Sequence, residues 1–130
     1  LHLARDRFGE KPLYVAQFGG VLLFGSELKA LRQHAAFRAE IDRDALALLV
    51  RHDFIPAPHS IFVGVSKLRP GEVMSVRARA GALSVDRRLY FDAASEVGAA
   101  LRNPFTGTPE EAVDEMEAAL KRAVGRQMVS

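Results

Sequence analysis

Four histidines, His2, His34, His52 and His59, are the first side chains in this 130-residue sequence that could hold a metal or move a proton. His52 and His59 stand seven positions apart across a proline break, with Asp53 between them. A metal site needs at least three ligands at short spacing or on a shared face, and this pattern does not provide one. Surface and turn positions are the expectation for all four. Ser26-Glu27 has the residue types of a nucleophile and a base, but neighbours in a strand-to-helix turn seldom face each other. Helix capping explains the pair better: Ser26 would accept backbone N–H bonds and Glu27 would complement the helix dipole.

A denser cluster is the turn Arg5-Asp6-Arg7-Phe8-Gly9-Glu10-Lys11-Pro12. Acid–base chemistry by two carboxylates requires one of them to be desolvated and kept away from cations. Here Asp6 and Glu10 share the turn with Arg5, Arg7 and Lys11. The expected outcome is a turn locked by ion pairs, with Gly9 and Pro12 shaping its backbone. Gly19-Gly20 and Gly71 belong to no phosphate loop, since neither G-x-x-x-x-G-K-[ST] nor G-x-G-x-x-G occurs. The sequence has no cysteine, which rules out disulfides, thiolate metal sites and a cysteine nucleophile within these residues.

The elements that must position these residues follow from pattern. Leu1 to Ala4 is a short strand-like segment. Leu13 to Phe18 and Val21 to Phe24 flank Gly19-Gly20, a pair suited to the positive φ angles of a tight hairpin. Ser26 is expected to open a short helix through Leu31. Asp42 is the next helix cap, with Leu46, Leu49 and Val50 as an apolar stripe, and the helix should stop before Pro56. Ile61 to Val65, Val73 to Val76 and Ala82 to Phe91 read as strands, with turns at Arg69-Pro70-Gly71-Glu72 and Gly81. Residues 93–107 show no firm period and read as a linker. Thr108-Pro109-Glu110-Glu111 then opens a helix with a capping box. Its apolar face is Val113, Met116, Leu120 and Val124, and Glu117–Lys121 forms an i,i+4 pair.

With 48% apolar and 26% charged residues, the chain has the profile of a soluble globular protein. Its 18 basic and 16 acidic residues leave a net charge of +2, and the basic clusters are short, which argues against nucleic acid as a partner. No apolar run approaches the ~20 residues that span a bilayer. No signal peptide is visible, so no membrane role and a cytoplasmic location are expected. Opening without Met and ending without a helix stop, the sequence reads as cut from a longer chain.

Ala4-Arg5-Asp6-Arg7-Phe8-Gly9-Glu10-Lys11-Pro12-Leu13-Tyr14 and Leu23-Phe24-Gly25-Ser26-Glu27-Leu28-Lys29-Ala30-Leu31 resemble successive motifs of class II glutamine amidotransferase domains. Phe54-Ile55-Pro56-Ala57-Pro58, Ser60-Ile61-Phe62 and Val65-Ser66-Lys67-Leu68-Arg69-Pro70-Gly71 narrow the resemblance to the asparagine synthetase branch. Pro104-Phe105 and the helix ending Arg126-Gln127-Met128 resemble the start of that branch's synthetase domain. Val15, Gly25 and Phe54 depart from residues common in the family, as packing changes.

The resemblance implies an α+β fold: part of an αββα Ntn-hydrolase-type sandwich with antiparallel sheets over residues 1–92, a linker over 93–107, and the first synthetase helix over 108–130. It implies a parent enzyme in which an N-terminal cysteine thiolate releases ammonia from glutamine. ATP and Mg²⁺ there activate aspartate as an acyl-adenylate, which ammonia then attacks. Glutamine, aspartate and ATP are thus the parent's partners, and a homo-oligomer is compatible with the resemblance. The cysteine and the groups that hold glutamine would precede Leu1, and a Ser-Gly-Gly-x-Asp-Ser loop for ATP would follow Ser130. The resemblance therefore assigns no catalytic, cofactor-binding or metal residue to this chain. Arg5, Asp6, Gly9, Ser26 and Glu27 would shape the scaffold near the site, and the chain alone would be inactive. Two further readings fit the same residues: a relative with a vestigial glutaminase, as in β-lactam synthetases, and a stand-alone interaction module.

Overall fold

The computed structural model describes residues 1–79 and 82–128. They form two compact units, Leu1–Ala93 and Ala94–Ser130. The first unit is α+β, with two three-stranded antiparallel sheets. One sheet has the order β1-β5-β6, from β1 (His2–Ala4), β5 (Glu72–Arg79) and β6 (Ala82–Leu89). The other has the order β3-β2-β4, from β2 (Tyr14–Phe18), β3 (Val21–Gly25) and β4 (Val65–Lys67).

The β2–β3 hairpin follows directly from its sequence. Gly19 and Gly20 adopt φ of 55° and 83°, the left-handed pair that matches the twist of the flanking strands. The register pairs Phe18 with Val21 and Tyr14 with Gly25. Alternation along β2 then sends Val15 to one face and Ala16 to the other, and both are buried. On Val15's side the two sheets share a core with Leu3, Met74, Val76 and Leu68. On Ala16's side Leu23, Val65, Phe62 and Leu31 form a second cluster. Leu31 ends α1 (Leu28–Leu31), so a short helix lies on the far face of the β2 sheet. The helix–sheet–sheet order is consistent with the expected sandwich.

Asp42 caps α2 (Arg43–His52), its carboxylate accepting from the Asp44 and Ala45 amides at 3.0 Å. Asp53 closes that helix in the left-handed region at φ 62°, ahead of Pro56 as expected. Among the described residues the stripe joins neither core cluster. Ala45 is the buried residue of α2, whereas Leu46, Leu49 and Val50 are exposed.

Three expectations need correction. Ser26 does not cap α1. Glu27 holds the cap position with extended backbone and no side-chain cap bond. The strand expected over Ile61 to Val65 begins only at Val65, because Gly64 sits at φ 76°, outside the extended region. Phe62 pairs instead with Ile41 in an isolated bridge. Most of the segment read as a linker is helical, as α3 (Ala93–Arg102). Four alanines, Ala93, Ala94, Ala99 and Ala100, supply helix propensity without needing a periodic apolar face. The turn expected at Gly81 lies outside the described residues.

The last helix, α4 (Pro109–Gln127), has the predicted capping box: Thr108 Oγ1 accepts from the Glu111 amide at 3.2 Å, and Glu111 Oε2 accepts from the Thr108 amide at 2.8 Å. The Glu117–Lys121 pair is present at 2.5 Å.

Candidate functional site

The charged turn between β1 and β2 is densely hydrogen-bonded. Arg5 sits at its start and donates three ways: from Nε to the Lys11 carbonyl at 2.9 Å, from Nη1 to the Leu68 carbonyl at 2.7 Å, and from Nη2 to the Gly9 carbonyl at 2.8 Å. A planar guanidinium fork suits this task because it can address several acceptors from one position. Its main chain is tied as well: the Arg5 amide donates to the Glu72 carbonyl, and Tyr90 Oη donates to the Arg5 carbonyl, both at 2.9 Å.

Asp6 works on the backbone. Its carboxylate accepts from the Phe8 amide at 3.0 Å and from the Glu10 amide at 3.0 Å and 3.2 Å. Its carbonyl accepts from Gly9 at 3.2 Å and from Gly71 at 2.8 Å. The Glu10 amide foremost, with those of Phe8 and Gly9, holds the Asp6 carboxyl below the usual carboxylate range, against an opposing desolvation effect. Gly9 takes φ 68°, and a Cβ there would lie 2.9 Å from Arg5 Cζ and Pro70 Cγ. Arg5, Asp6 and Gly9 therefore act together to join the β1–β2 turn to the β4–β5 turn and the end of β6.

The expected ion pairs are replaced by a different kind of lock. Among the described residues no ion pair joins side chains of this turn: Arg5 donates to carbonyls and Asp6 accepts from amides. Every carbonyl that Arg5 satisfies would otherwise lie in a tight loop with no strand partner. Ser26 and Glu27 do not join this network. The Tyr14–Gly25 register places them just beyond the same end of the β2 sheet, but both are exposed, and Glu27 pairs with Lys29 at 2.7 Å.

Two charged residues that sequence reasoning did not single out matter here. Lys67 ends β4 opposite Tyr14, with its ammonium 5.7 Å from the Tyr14 ring centroid. Its Nζ donates to the Ile55 carbonyl at 2.5 Å and its amide to the Pro58 carbonyl at 2.8 Å, so it grips the Ile55–Pro58 segment from both ends. Burial first, and then the nearby Arg5 charge, push the Lys67 pKa down. Glu72, 7% exposed, accepts from the Arg69 amide at 2.6 Å and lies 4.0 Å from Arg87 Nη1. The signal for both was strand alternation: Lys67 shares a face with Val65, and Glu72 with Met74 and Val76, so each is a charge at an inward position.

The Arg5 guanidinium and the Asp6 carboxylate, the two charges at the heart of this corner, are both bonded to backbone. The corner can fix loop geometry and present backbone.

The chain belongs to the family of glutamine amidotransferase domains, whose family model matches residues 1–90. Among its relatives is asparagine synthetase [glutamine-hydrolyzing] 3 of Bacillus subtilis, 30% identical over 131 residues, covering 100% of this chain and 20% of that protein. Asparagine synthetase [glutamine-hydrolyzing] 1 of the same organism is 38% identical over 77 residues, covering 59% of this chain and 12% of the relative. A putative asparagine synthetase [glutamine-hydrolyzing] of Mycobacterium tuberculosis is 33% identical over 132 residues, covering 98% of this chain and 19% of the relative. The chain thus spans a fifth or less of the length of these relatives. No solved structure matches it.

Proposed function

We propose that the chain is the glutaminase-side portion of a glutamine-dependent asparagine synthetase, with α4 as the first helix of the synthetase domain. The observation that carries this reading is the reach of the similarity. The domain family accounts for residues 1–90, whereas the similarity to asparagine synthetases continues across the whole chain, through α3 and α4. A likeness confined to glutamine hydrolysis would have no reason to include those helices.

In this reading the parent takes glutamine, aspartate and ATP, and works in the cytoplasm. No helix among the described residues is long and apolar enough to cross a membrane. A thiolate attacks the glutamine side-chain carbonyl carbon, the C–N bond breaks, and ammonia leaves behind a glutamyl thioester that water hydrolyses. The 130 residues contain no cysteine, so their share is the frame: Arg5, Asp6 and Gly9 hold the turns, and Lys67 holds the Ile55–Pro58 segment. The start of α4, the longest helix among the described residues, is a poor seat for ATP phosphates. The first turn of α4 carries Glu110 and Glu111, and the Glu111 carboxylate already occupies the Thr108 amide. Among the described residues no group of three His, Cys, Asp or Glu side chains gathers as a metal site.

The test has two arms. The 130-residue chain, purified alone, is expected to release no ammonia from glutamine, and measurable release would overturn its assignment as frame only. The parent gene product, given amide-labelled ¹⁵N-glutamine, aspartate and ATP, is expected to yield ¹⁵N-asparagine. ATP-dependent product formation without glutamine hydrolysis would instead favour the vestigial-glutaminase relative.

A further inference from the structure

Around α2 the chain makes an excursion that leaves and returns at one place. The Asp42 amide donates to the Ile61 carbonyl and the Val63 amide to the Glu40 carbonyl, both at 2.9 Å, on either side of the Ile41–Phe62 bridge. Residues 43–60 are therefore a loop closed at its base, with α2 as one limb and Ile55–Pro58 in the other. The α2 limb is thinly packed. From Arg43 to Phe54, Ala45 is buried, Leu48 is half-buried and every other residue is exposed. A helix of 10 residues is marginal in water by itself, so α2 depends on how its two ends are anchored.

The first end has the Asp42 cap and the bridge. The far end runs into Ile55–Pro58, and there the anchor is Lys67. Its Nζ donates to the Ile55 carbonyl and its amide to the Pro58 carbonyl. Lys67 itself stands on the β2 sheet, in register with Tyr14. A bond from an ammonium to a carbonyl is stronger than one between neutral groups, yet it is a single bond, whereas the sheets are held by two apolar clusters.

The same segment is part of the wall of a cleft of about 290 Å³ beside the Arg5–Asp6 corner. Ala57 lines it from the excursion, and Arg7, Arg69, Pro70, Leu89 and Phe91 line it from the rest of the first unit. The Phe91 side is held by ring contacts: Arg7 lies over the ring at 5.4 Å, and Phe8 meets it edge-on at 5.8 Å between centroids. The Ala57 side belongs to the thinly packed excursion.

We propose that Ile55–Pro58 is a strap on this cleft, fastened by Lys67. When Lys67 lets go, the strap and α2 open as one local unit, the cleft loses its Ala57 wall, and the two sheets stay folded. Opening of this kind is drawn from elements with few buried apolar contacts, and Lys67, as a positioning residue, sets its equilibrium. The strap rests on contacts within the first unit and on none of the ligase chemistry proposed above, and neither ammonia release nor ¹⁵N-asparagine formation reads it.

The test compares the native 130-residue chain with Lys67→Met, which keeps an unbranched apolar stem and removes the donor. In native-state hydrogen exchange, the amides of Leu49 to Asp53 should exchange at least about tenfold faster in the variant, as expected for loss of one charge-assisted bond. The amides of β2 and β5 should keep their native rates. The chain has no cysteine, so Ala57→Cys supplies a unique thiol on the cleft wall. Iodoacetamide should label that thiol at least about tenfold faster once Lys67→Met is added. Lys29→Met removes an exposed lysine that pairs with Glu27, and it should match the native chain in both measurements. Unchanged exchange at Leu49 to Asp53, equal acceleration in β2 and β5, equal labelling rates, or the same effects from Lys29→Met would each overturn the proposal.

Discussion

Asp6 shows what a carboxylate does when backbone amides claim both its oxygens. Its folded pKa lies below the ordinary 3.8, so ionisation favours the folded state. The sign follows: the stabilisation is complete above the ordinary carboxylate range and disappears as pH falls through the lowered value. Asp6→Asn should therefore lower the urea midpoint at neutral pH and narrow its gap from the native chain in acid. Parallel midpoints for the two chains at every pH would refute this. That Asp6 and Arg5 were important was legible from the crowding of charge in one turn. Their partners were not, because residue types cannot tell an acid facing a guanidinium from one facing amides. Lys67 was legible in principle, as a cation on the inward face of a strand, but its grip on Ile55 depends on a loop path that local pattern does not determine. Arg7 and Arg69 were visible only as basic residues, since the cleft they line is made by segments far apart in the chain, from Arg7 to Ala93.

At the scale of elements, legibility tracked how local the controlling physics is. The Gly19-Gly20 hairpin, the Asp42 cap and the Thr108 capping box are decided within a few residues, and each formed as read. The strand near Ile61 failed because one glycine at positive φ outweighed a run of apolar neighbours. The α3 helix was missed because alanine leaves no periodic signature. Gly71 sits between these cases, since its left-handed φ was foreseeable from a turn but its crowding was not. A Cβ at Gly71 would collide with the Phe91 carbonyl oxygen, whereas one at Gly20 would meet nothing within 4 Å. Gly71→Ala should thus cost at least about 3 kcal/mol, combining strain with a steric clash. Gly20→Ala should cost only about 1 kcal/mol, the left-handed penalty alone. Chemical denaturation of the two variants compares them directly, and equal losses would show that the Gly71 contact relaxes freely.

Across the whole molecule, the notable quantity is apolar surface without a core. Val50 of α2 is 78% exposed, and on α4 Met116 and Leu120 are 64% and 59% exposed. Each helix has an apolar stripe of the kind that elsewhere lies against a protein interior. The 130-residue chain should therefore enhance the fluorescence of 8-anilinonaphthalene-1-sulfonate at neutral pH, and Met116→Gln with Leu120→Gln should reduce the signal. Dye emission no brighter than in buffer would sink this expectation. The same two-sided logic that buries β2 leaves room at its hairpin tip: among the described residues, a Cβ at Gly19 or Gly20 would have no neighbour within 4 Å. That tip is accordingly the natural anchorage for a fluorophore or an inserted epitope, a handle by which the protein could be tethered and watched while the Arg5 corner and the neighbouring cleft stay undisturbed.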